Sequence, residues 1–258
     1  MLLPTYSSLK HAAAIGAVAL CMSANPGAAQ DTAVGDIDRD EFNAAVRAYL
    51  LEHPEVLVEA MQVLEQRRLL DEASAEVEMV ERLGPEIFDD GFSYVGGNPE
   101  GSITVVEFQD YRCGFCKRAH GEVQQLVESD GDIRLVVKEF PILGPDSTQT
   151  SRFAIATMIS QGPDAYKRVS DALMTYGGPI NDAALNRLAK SANVDFDEIS
   201  ATLDDPEVTR RIDATMALGR ELRISGTPTF IIGNKFVRGY LPLSEMQNVV
   251  DLSRRVAE

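Results

Sequence analysis

The residues whose types and spacing point most directly to chemistry are two cysteines three positions apart, Cys113 and Cys116. A C-x-x-C pair passes between a dithiol and a disulfide, so it carries two electrons without a bound cofactor. The third cysteine, Cys21, lies in a segment that we expect to be removed on export. Cys113 and Cys116 would then be the two remaining cysteines. In an oxidising compartment such a pair indicates a redox centre rather than a structural disulfide.

The sequence around the pair predicts a strand that runs directly into a helix N-terminus. Ile103 to Phe108 is short, rich in β-branched residues and preceded by the turn-forming residues 96–99. After Gly114, apolar residues recur at helical spacing: Phe115, Ala119, Val123, Leu126 and Val127. Cys113 is then predicted near the first turn, where unpaired N–H groups and the helix dipole favour the reactive thiolate.

The N-terminal residues 1–29 are typical of a secretory signal peptide. Lys10 and His11 precede an apolar stretch that is too short to span a membrane, and small residues lead to an expected cleavage after Ala29. Removal of Lys10 would take the formal net charge from −16 to −17. We therefore expect an exported, periplasmic protein, and its acidity argues against nucleic acid as a partner.

Residues 30–85 predict an N-terminal helical arm. Pro54 separates a first helix from a second helix that reaches about Leu83. Four apolar residues in the second helix are spaced by sevens: Val56, Val63, Leu70 and Val77. The companion positions are mostly polar or small: Glu59, Gln66, Ala73 and Val80. Because a coiled coil needs both lines apolar, the pattern leaves open self-association and a helix that is solvated or packed on its own domain.

Residues 86–258 predict an α/β domain that contains a helical insertion. The cysteine helix lies between two apolar strands, 103–108 and 133–140, which predicts a β-α-β unit with parallel strands. Residues from about 146 to 223 lack strand patterns and contain repeated helix starts. Strand patterns resume in a hairpin over 229–237, and an amphipathic helix over 243–256 follows.

Three separated motifs carry a resemblance to a known family. They are Val106-Glu107-Phe108 leading into Cys113-Gly114-Phe115-Cys116, Lys138-Glu139-Phe140-Pro141-Ile142, and Gly226-Thr227-Pro228-Thr229-Phe230. Together they resemble the DsbA-like thiol-disulfide oxidoreductases, and the resemblance extends from about Phe92 to the C-terminus. It implies a thioredoxin fold with an inserted all-helical domain. The arm, through residues 49–57, resembles the N-terminal extension of ScsC-type members, which makes oligomers in some of them.

The resemblance implies a role for each matching residue. Cys113 is the exposed nucleophile and Cys116 the buried resolving thiol, while Glu107 lies beneath them and relays a proton to Cys116, with Lys138 beside that acid. Alternation along the strand leaves open which face Glu107 occupies, and a solvated strand position is the alternative for both residues. Facing the cysteines, a cis bond at Thr227-Pro228 and the Thr227 backbone recognise clients, and Phe115 is assigned to the same client site.

Two departures from DsbA bear on the direction of the reaction. Gly114-Phe115 stands between the cysteines instead of proline-histidine, and Thr227 replaces the valine common before the proline. Without the histidine the Cys113 thiolate loses a donor or positive charge, so we expect a less oxidising couple suited to isomerase or reductase work. A DsbA-type dithiol oxidase is the alternative. The implied partners are unfolded or misoxidised exported proteins and a membrane or periplasmic redox protein that resets the pair.

Two interpretations from other functional classes compete with redox catalysis. Cys113, Cys116 and His120 lie at i, i+3 and i+7 on one helical face and could bind copper(I) or zinc. A structural zinc site takes four ligands, however, and the other histidine outside the signal segment, His53, lies in the distant arm. The second competitor is a chaperone or scaffold in which the arm binds partners and the cysteines are incidental.

Overall fold

The computed structural model describes residues 38–257, so the predicted signal peptide and Cys21 lie outside the described residues. The chain divides into one unit through Met61 and another from Gln62 on. Helix α1 (Arg39–Glu52) begins at Asp38, whose side chain accepts a hydrogen bond from the Asp40 amide, and ends before Pro54. Helix α2 (Glu55–Arg82) follows Pro54, as the sequence predicts. Gly84-Pro85 does more than interrupt α2, because it opens the short helix α3 (Gly84–Phe88), where a proline is tolerated in the first turn.

The sheet has five strands in the order β1-β3-β2-β4-β5. Their bounds are β1 Tyr94–Gly97, β2 Ile103–Gln109, β3 Ile133–Glu139, β4 Thr229–Ile232 and β5 Lys235–Arg238. Strands β2 and β3 are parallel, and the other neighbouring pairs are antiparallel. Both the β-α-β unit and the β4–β5 hairpin predicted from the sequence are therefore confirmed.

Helix α4 (Gly114–Asp130) is the crossover between β2 and β3. It starts immediately after Cys113 and ends at Gly131, whose φ of 71° lies in the left-handed region that glycine adopts at low cost. Its buried face carries Cys116, Ala119, Val123 and Leu126, the apolar stripe expected from the sequence.

Five helices separate β3 from β4: α5 Pro145–Gln161, α6 Pro163–Thr175, α7 Asp182–Ser191, α8 Phe196–Thr202 and α9 Pro206–Glu221. The predicted starts at Asn181, Asp195 and Asp205 are N-caps, each of which accepts a hydrogen bond from a first-turn amide. Helix α10 (Leu243–Ala257) follows the hairpin. The fold is the expected one, a thioredoxin fold with an inserted helical domain and N-terminal helices.

The two faces of the sheet pack against different elements. On one face, Val105 and Val137 pack with residues of α4 and α10. On the other, Val106 and Phe108 pack with residues of α3 and α9. A third apolar cluster combines Cys113 and Cys116 with the inserted helices, so the cysteines lie where the sheet domain meets the insertion. Among the described residues, no helix combines the length and apolar character needed to cross a membrane.

Candidate active site

Cys113 and Cys116 are free thiols at the start of α4. Cys113 is the N-cap residue and Cys116 lies in the first turn, so both are next to the positive end of the helix dipole. Cys116 is fully buried, as expected, but Cys113 is only 7% exposed. Cys113 is therefore more accessible than Cys116 but far less exposed than expected, because the loop before β4 lies against its sulfur.

That loop contains the cis peptide bond between Thr227 and Pro228 that the resemblance implies. The Cys113 thiol donates a hydrogen bond to the Thr227 carbonyl, with 3.1 Å between Sγ and O. Beside the cysteines, the Phe115 ring is 60% exposed and forms an apolar surface at the same site. Residues 114 positions apart in the chain are thus brought into direct contact.

Glu107 lies in the buried layer that contains Val105 and Gln109, which resolves the choice that strand alternation left open. It pairs in register with Val137 of β3 and Phe230 of β4 and is 2% exposed. Its Oε1 atom has no hydrogen-bond partner. Burial, with the nearby charge of Glu139, raises the pKa of Glu107 to about 8. Burial and the proximity of Glu107 also raise the pKa of Cys116. A protonated carboxyl therefore adjoins the resolving thiol near neutral pH.

Lys138 does not lie beside Glu107, and that expectation is wrong. Its register partner in β2 is Phe108, so it occupies the opposite face of the sheet. The buried Lys138 Nζ is 2.6 Å from Asp90 Oδ2 and 2.7 Å from the Glu86 carbonyl. Burial lowers the pKa of Lys138 despite the opposing charge of Asp90. Its contacts are those of a buried structural ion pair.

A second buried acid, Glu139, was not singled out from the sequence. Its Oε1 accepts hydrogen bonds of 2.6 Å from the Tyr111 and Tyr166 hydroxyls, and its Oε2 accepts one of 2.7 Å from Ser151. These bonds connect β3 to α5, α6 and the turn before Cys113. Burial raises the pKa of Glu139. Glu139 pairs in register with Gln109, which alternation along β2 places on the same face as Glu107. A second acid in an apolar strand of the β-α-β unit was the sequence pattern that could have identified it.

Asp110 supports the turn that presents the cysteines. Its Oδ1 accepts a hydrogen bond from the Arg112 amide, and its Oδ2 accepts bonds from the Ile142 and Leu143 amides. The buried carboxylate thereby joins the residues after β2 to those after β3. This contact joins the segment after Phe140-Pro141 to the turn that carries the cysteines.

His120 is engaged away from the cysteines. Its Nε2 lies 2.9 Å from Asp171 Oδ1 on α6, and Gln124 is a further neighbour. Within residues 38–257, no three side chains of the metal-binding types come together as a ligand set. The structure therefore does not assemble the Cys113, Cys116 and His120 triad.

Two family models match the chain. The model described as DSBA-like thioredoxin domain matches residues 104–251, which include the cysteine pair and the cis-proline loop. The model described as copper resistance protein ScsC N-terminal domain matches residues 38–68, within the two arm helices.

Solved structures with a similar fold agree with these matches. A thioredoxin-like oxidoreductase from Silicibacter pomeroyi DSS-3 is 40% identical, with a TM-score of 0.63, covering 66% of this chain and 97% of that one. The thiol-disulfide exchange protein alpha-DsbA2 from Wolbachia pipientis is 26% identical, with a TM-score of 0.67, covering 70% and 97%.

Among curated proteins, a Na(+)/H(+) antiporter NhaA from Herminiimonas arsenicoxydans is 27% identical over 187 residues. That match covers 71% of this chain but 29% of the antiporter. The chain therefore spans less than a third of the length of the curated relatives it first matches.

Proposed function

The chain belongs to the family of DSBA-like thioredoxin domains and is a thiol-disulfide oxidoreductase of the DsbA/ScsC type, and from this premise we propose that it exchanges disulfides with exported client proteins, mainly as an isomerase or reductase. The observation that carries the proposal is the pair of free thiols at the start of α4, with the Cys113 sulfur held against the Thr227 carbonyl. The pair supplies the electrons, so the reaction needs no cofactor.

The proposed exchange proceeds through a mixed disulfide. When the pair is oxidised, a client thiolate attacks the Cys113 sulfur, the Cys113–Cys116 bond breaks, and its electron pair leaves on Cys116. Glu107 then gives its proton to the Cys116 sulfur. A second client thiolate attacks the client sulfur of the mixed disulfide, which completes the client disulfide and releases Cys113 as a thiolate. The reverse sequence reduces a client disulfide.

We assign client binding to Thr227, Pro228 and Phe115. An extended client segment would pair with the backbone of Thr227 as an added strand does. The exposed Phe115 ring would contact an apolar client side chain. Unfolded and misoxidised exported proteins present such extended, apolar segments, and they are the proposed substrates.

The surroundings of Cys113 support the isomerase or reductase direction. The Thr227 carbonyl oxygen that lies against its sulfur is an acceptor, and it supplies neither a donor nor a positive charge. The flanking cations are directed elsewhere, since Arg112 donates to the Gly178 carbonyl and Lys117 to the Tyr176 carbonyl. A strongly oxidising couple requires a stabilised reduced form, and these contacts do not supply one.

The test is the reduction potential of the pair, measured by equilibrating the full chain in glutathione buffers. We expect a value of about −200 mV or lower, in the range of isomerases and reductases. A value near −120 mV, roughly that of DsbA, would establish the dithiol oxidase instead. A Cys113→Ser variant is the matched control and must show no exchange.

We further propose that the protein is exported to the periplasm with residues 1–29 removed, and that residues 30–85 form an arm attached to a redox domain of residues 86–258. A membrane or periplasmic redox protein would reset the pair.

We propose that the arm binds second copies of this chain, and two observations support this. The ScsC N-terminal model matches residues 38–68, and the helices expose many large apolar side chains: Phe42, Val46, Tyr49, Leu51, Leu57, Val58, Met61, Val63, Leu64, Leu69 and Leu70. Several copies would present several cysteine pairs to one client, which suits isomerisation.

A further inference from the structure

A small cavity lies between the sheet, α4 and α6, directly beside Glu107. Its volume of about 20 Å³ accommodates a water molecule. One end is buried and is lined by Glu107 and Gln109, whereas the other end is lined by the half-buried side chains of His120, Gln124 and Lys167. The cavity thus connects the acid beneath the cysteines with polar groups at the surface.

The inner end contains an unsatisfied polar atom. Glu107 is 2% exposed, and its Oε1 has no hydrogen-bond partner. A buried carboxyl oxygen left in this way has lost its hydration without compensation, and a water molecule in an adjoining polar cavity would restore a hydrogen bond to it. The cavity is therefore suited to hold a hydrogen-bonding partner for Glu107.

The outer end is a hydrogen-bonded cluster centred on Asp171. The His120 ring lies 2.9 Å from Asp171 Oδ1, and Lys167 Nζ lies 2.7 and 2.6 Å from the two carboxylate oxygens. Burial alone would raise the pKa of Asp171, but the bonds from His120 and Lys167 together lower it. The side chain of His120 is 17% exposed, so its ring reaches both the cavity and the solvent.

We propose that this cavity is the route by which protons reach and leave Glu107, and that His120, held by Asp171, exchanges them with solvent. The inference rests on the proposed function. When the pair is reduced, Glu107 gives a proton to the Cys116 thiolate, and its carboxylate regains one from the protonated His120 ring through water in the cavity. The neutral ring then takes a proton from solvent. When the pair is reoxidised, the same groups carry the Cys116 proton outward.

Titratable groups lie in or around the cavity on every element that packs against it: Tyr94 on β1, Glu139 on β3, Cys116 and His120 on α4, and Tyr166, Lys167 and Asp171 on α6. Burial raises the pKa of Tyr94 and of Tyr166, so both phenols stay protonated. Glu139 already accepts bonds at both oxygens. Lys167 is bound to Asp171 through both carboxylate oxygens. His120 is the remaining side chain that both lines the cavity and reaches solvent, and its imidazole has two ring nitrogens that can accept and donate protons.

The experiment measures single-turnover oxidation of the reduced full chain by excess oxidised glutathione as a function of pH, with acid quenching and thiol alkylation as the readout. In this direction Cys116 must lose its proton before it attacks the mixed disulfide. We expect His120→Gln and His120→Ala to slow this step about tenfold near neutral pH. Added imidazole should restore the rate of His120→Ala, because it enters the space left by the ring and carries protons. Val123→Ala, which enlarges the same cavity but leaves the His120–Asp171 contact in place, should keep the original rate and pH profile.

A second measurement separates proton transfer from structure. In a Glu107→Gln background, His120→Ala should cause no further slowing, because the group that it serves is gone. Unchanged rates and pH profiles in both His120 variants would overturn the proton route while leaving the proposed function intact. Equal slowing by Val123→Ala, with no rescue of His120→Ala by imidazole, would also overturn the route, since it would show a packing effect. No exchange with glutathione by the unmodified protein would overturn the proposed function and the route together.

Discussion

Replacing Glu107 with glutamine tests the buried acid most directly, because the amide keeps the shape of the side chain and removes its proton. The pKa of Glu107 rises from 4.5 to about 8 on folding. In the unfolded chain the carboxyl ionises above about pH 4.5, whereas in the folded protein it stays protonated until about pH 8. The folded state therefore binds one more proton than the unfolded state across this interval, and stability falls as pH rises.

The magnitude follows from the difference of about 3.5 between the two pKa values. At ~1.4 kcal/mol for each tenfold change in proton affinity, Glu107 contributes a total loss of about 5 kcal/mol as the pH rises from well below 4.5 to well above 8, of which about 3 kcal/mol is reached by pH 7. The substituted amide cannot ionise, so E107Q lacks this loss. The free energy of unfolding of E107Q relative to that of the original chain should therefore rise by about 1.4 kcal/mol for each pH unit within this range. Any change in this free energy that the amide introduces equally at every pH is an offset and does not alter the slope.

The assay is guanidinium unfolding of the reduced full chain at several pH values between about 5 and 8, with linear extrapolation to water. The chain has no tryptophan, so near-ultraviolet circular dichroism of its tyrosines reports the folded core. Glu128→Gln, at an exposed position on the same helix as Cys116, is the matched control and should show no pH-dependent difference. Parallel stability curves for E107Q and the original chain would refute a protonated Glu107, and with it the proton donor that the mechanism uses.

Three further outcomes are expected. Lys138→Met should lower the free energy of unfolding by about 3 kcal/mol, because it leaves Asp90 buried without its cation; glutathione exchange should keep its rate, and a slower exchange would contradict the structural role of Lys138. Cys116→Ser should accumulate mixed disulfides with clients that contain a disulfide, visible as adducts in non-reducing gels. The Cys113 thiolate attacks the client disulfide, one client sulfur leaves as a thiolate, and no second thiol remains to resolve the adduct. The absence of such adducts would contradict the role of Cys113 as the nucleophile. Leu64→Glu, at an exposed apolar position of α2, should reduce the mass measured by light scattering to that of one chain. Assembly through the arm would be refuted if the original protein already had the mass of one chain.

Local patterns predicted most of the elements. Pro54 separates the arm helices, the β-branched run 103–108 became β2, and Asn181, Asp195 and Asp205 begin helices. These predictions succeeded because proline, β-branched residues and capping side chains act on the backbone within a few positions of themselves. The position of the cysteine pair at a strand-to-helix turn was predictable for the same reason, since the strand, the turn and the helix adjoin the pair in the sequence.

The contacts that make a site from these residues depend on pairing between distant strands. Glu107 and Lys138 look alike in the sequence, as charged residues within apolar strands. The register between β2 and β3 decides that Glu107 lies beneath Cys116 while Lys138 faces Asp90 on the other side. Alternation has a period of two, so it assigns residues to the same or to opposite faces but does not say which face meets the cysteines.

The sequence by itself determined the redox chemistry, the order of the elements and the family, because each depends on residue types at short, regular spacings. Only the tertiary structure decided that Thr227 covers the Cys113 sulfur, that Glu139 is bound by two tyrosines and a serine, and that a cavity joins Glu107 to His120. Those relationships arise when segments far apart in the chain pack together. Burial then shifts the proton affinity of groups whose sequence neighbours give no sign of it.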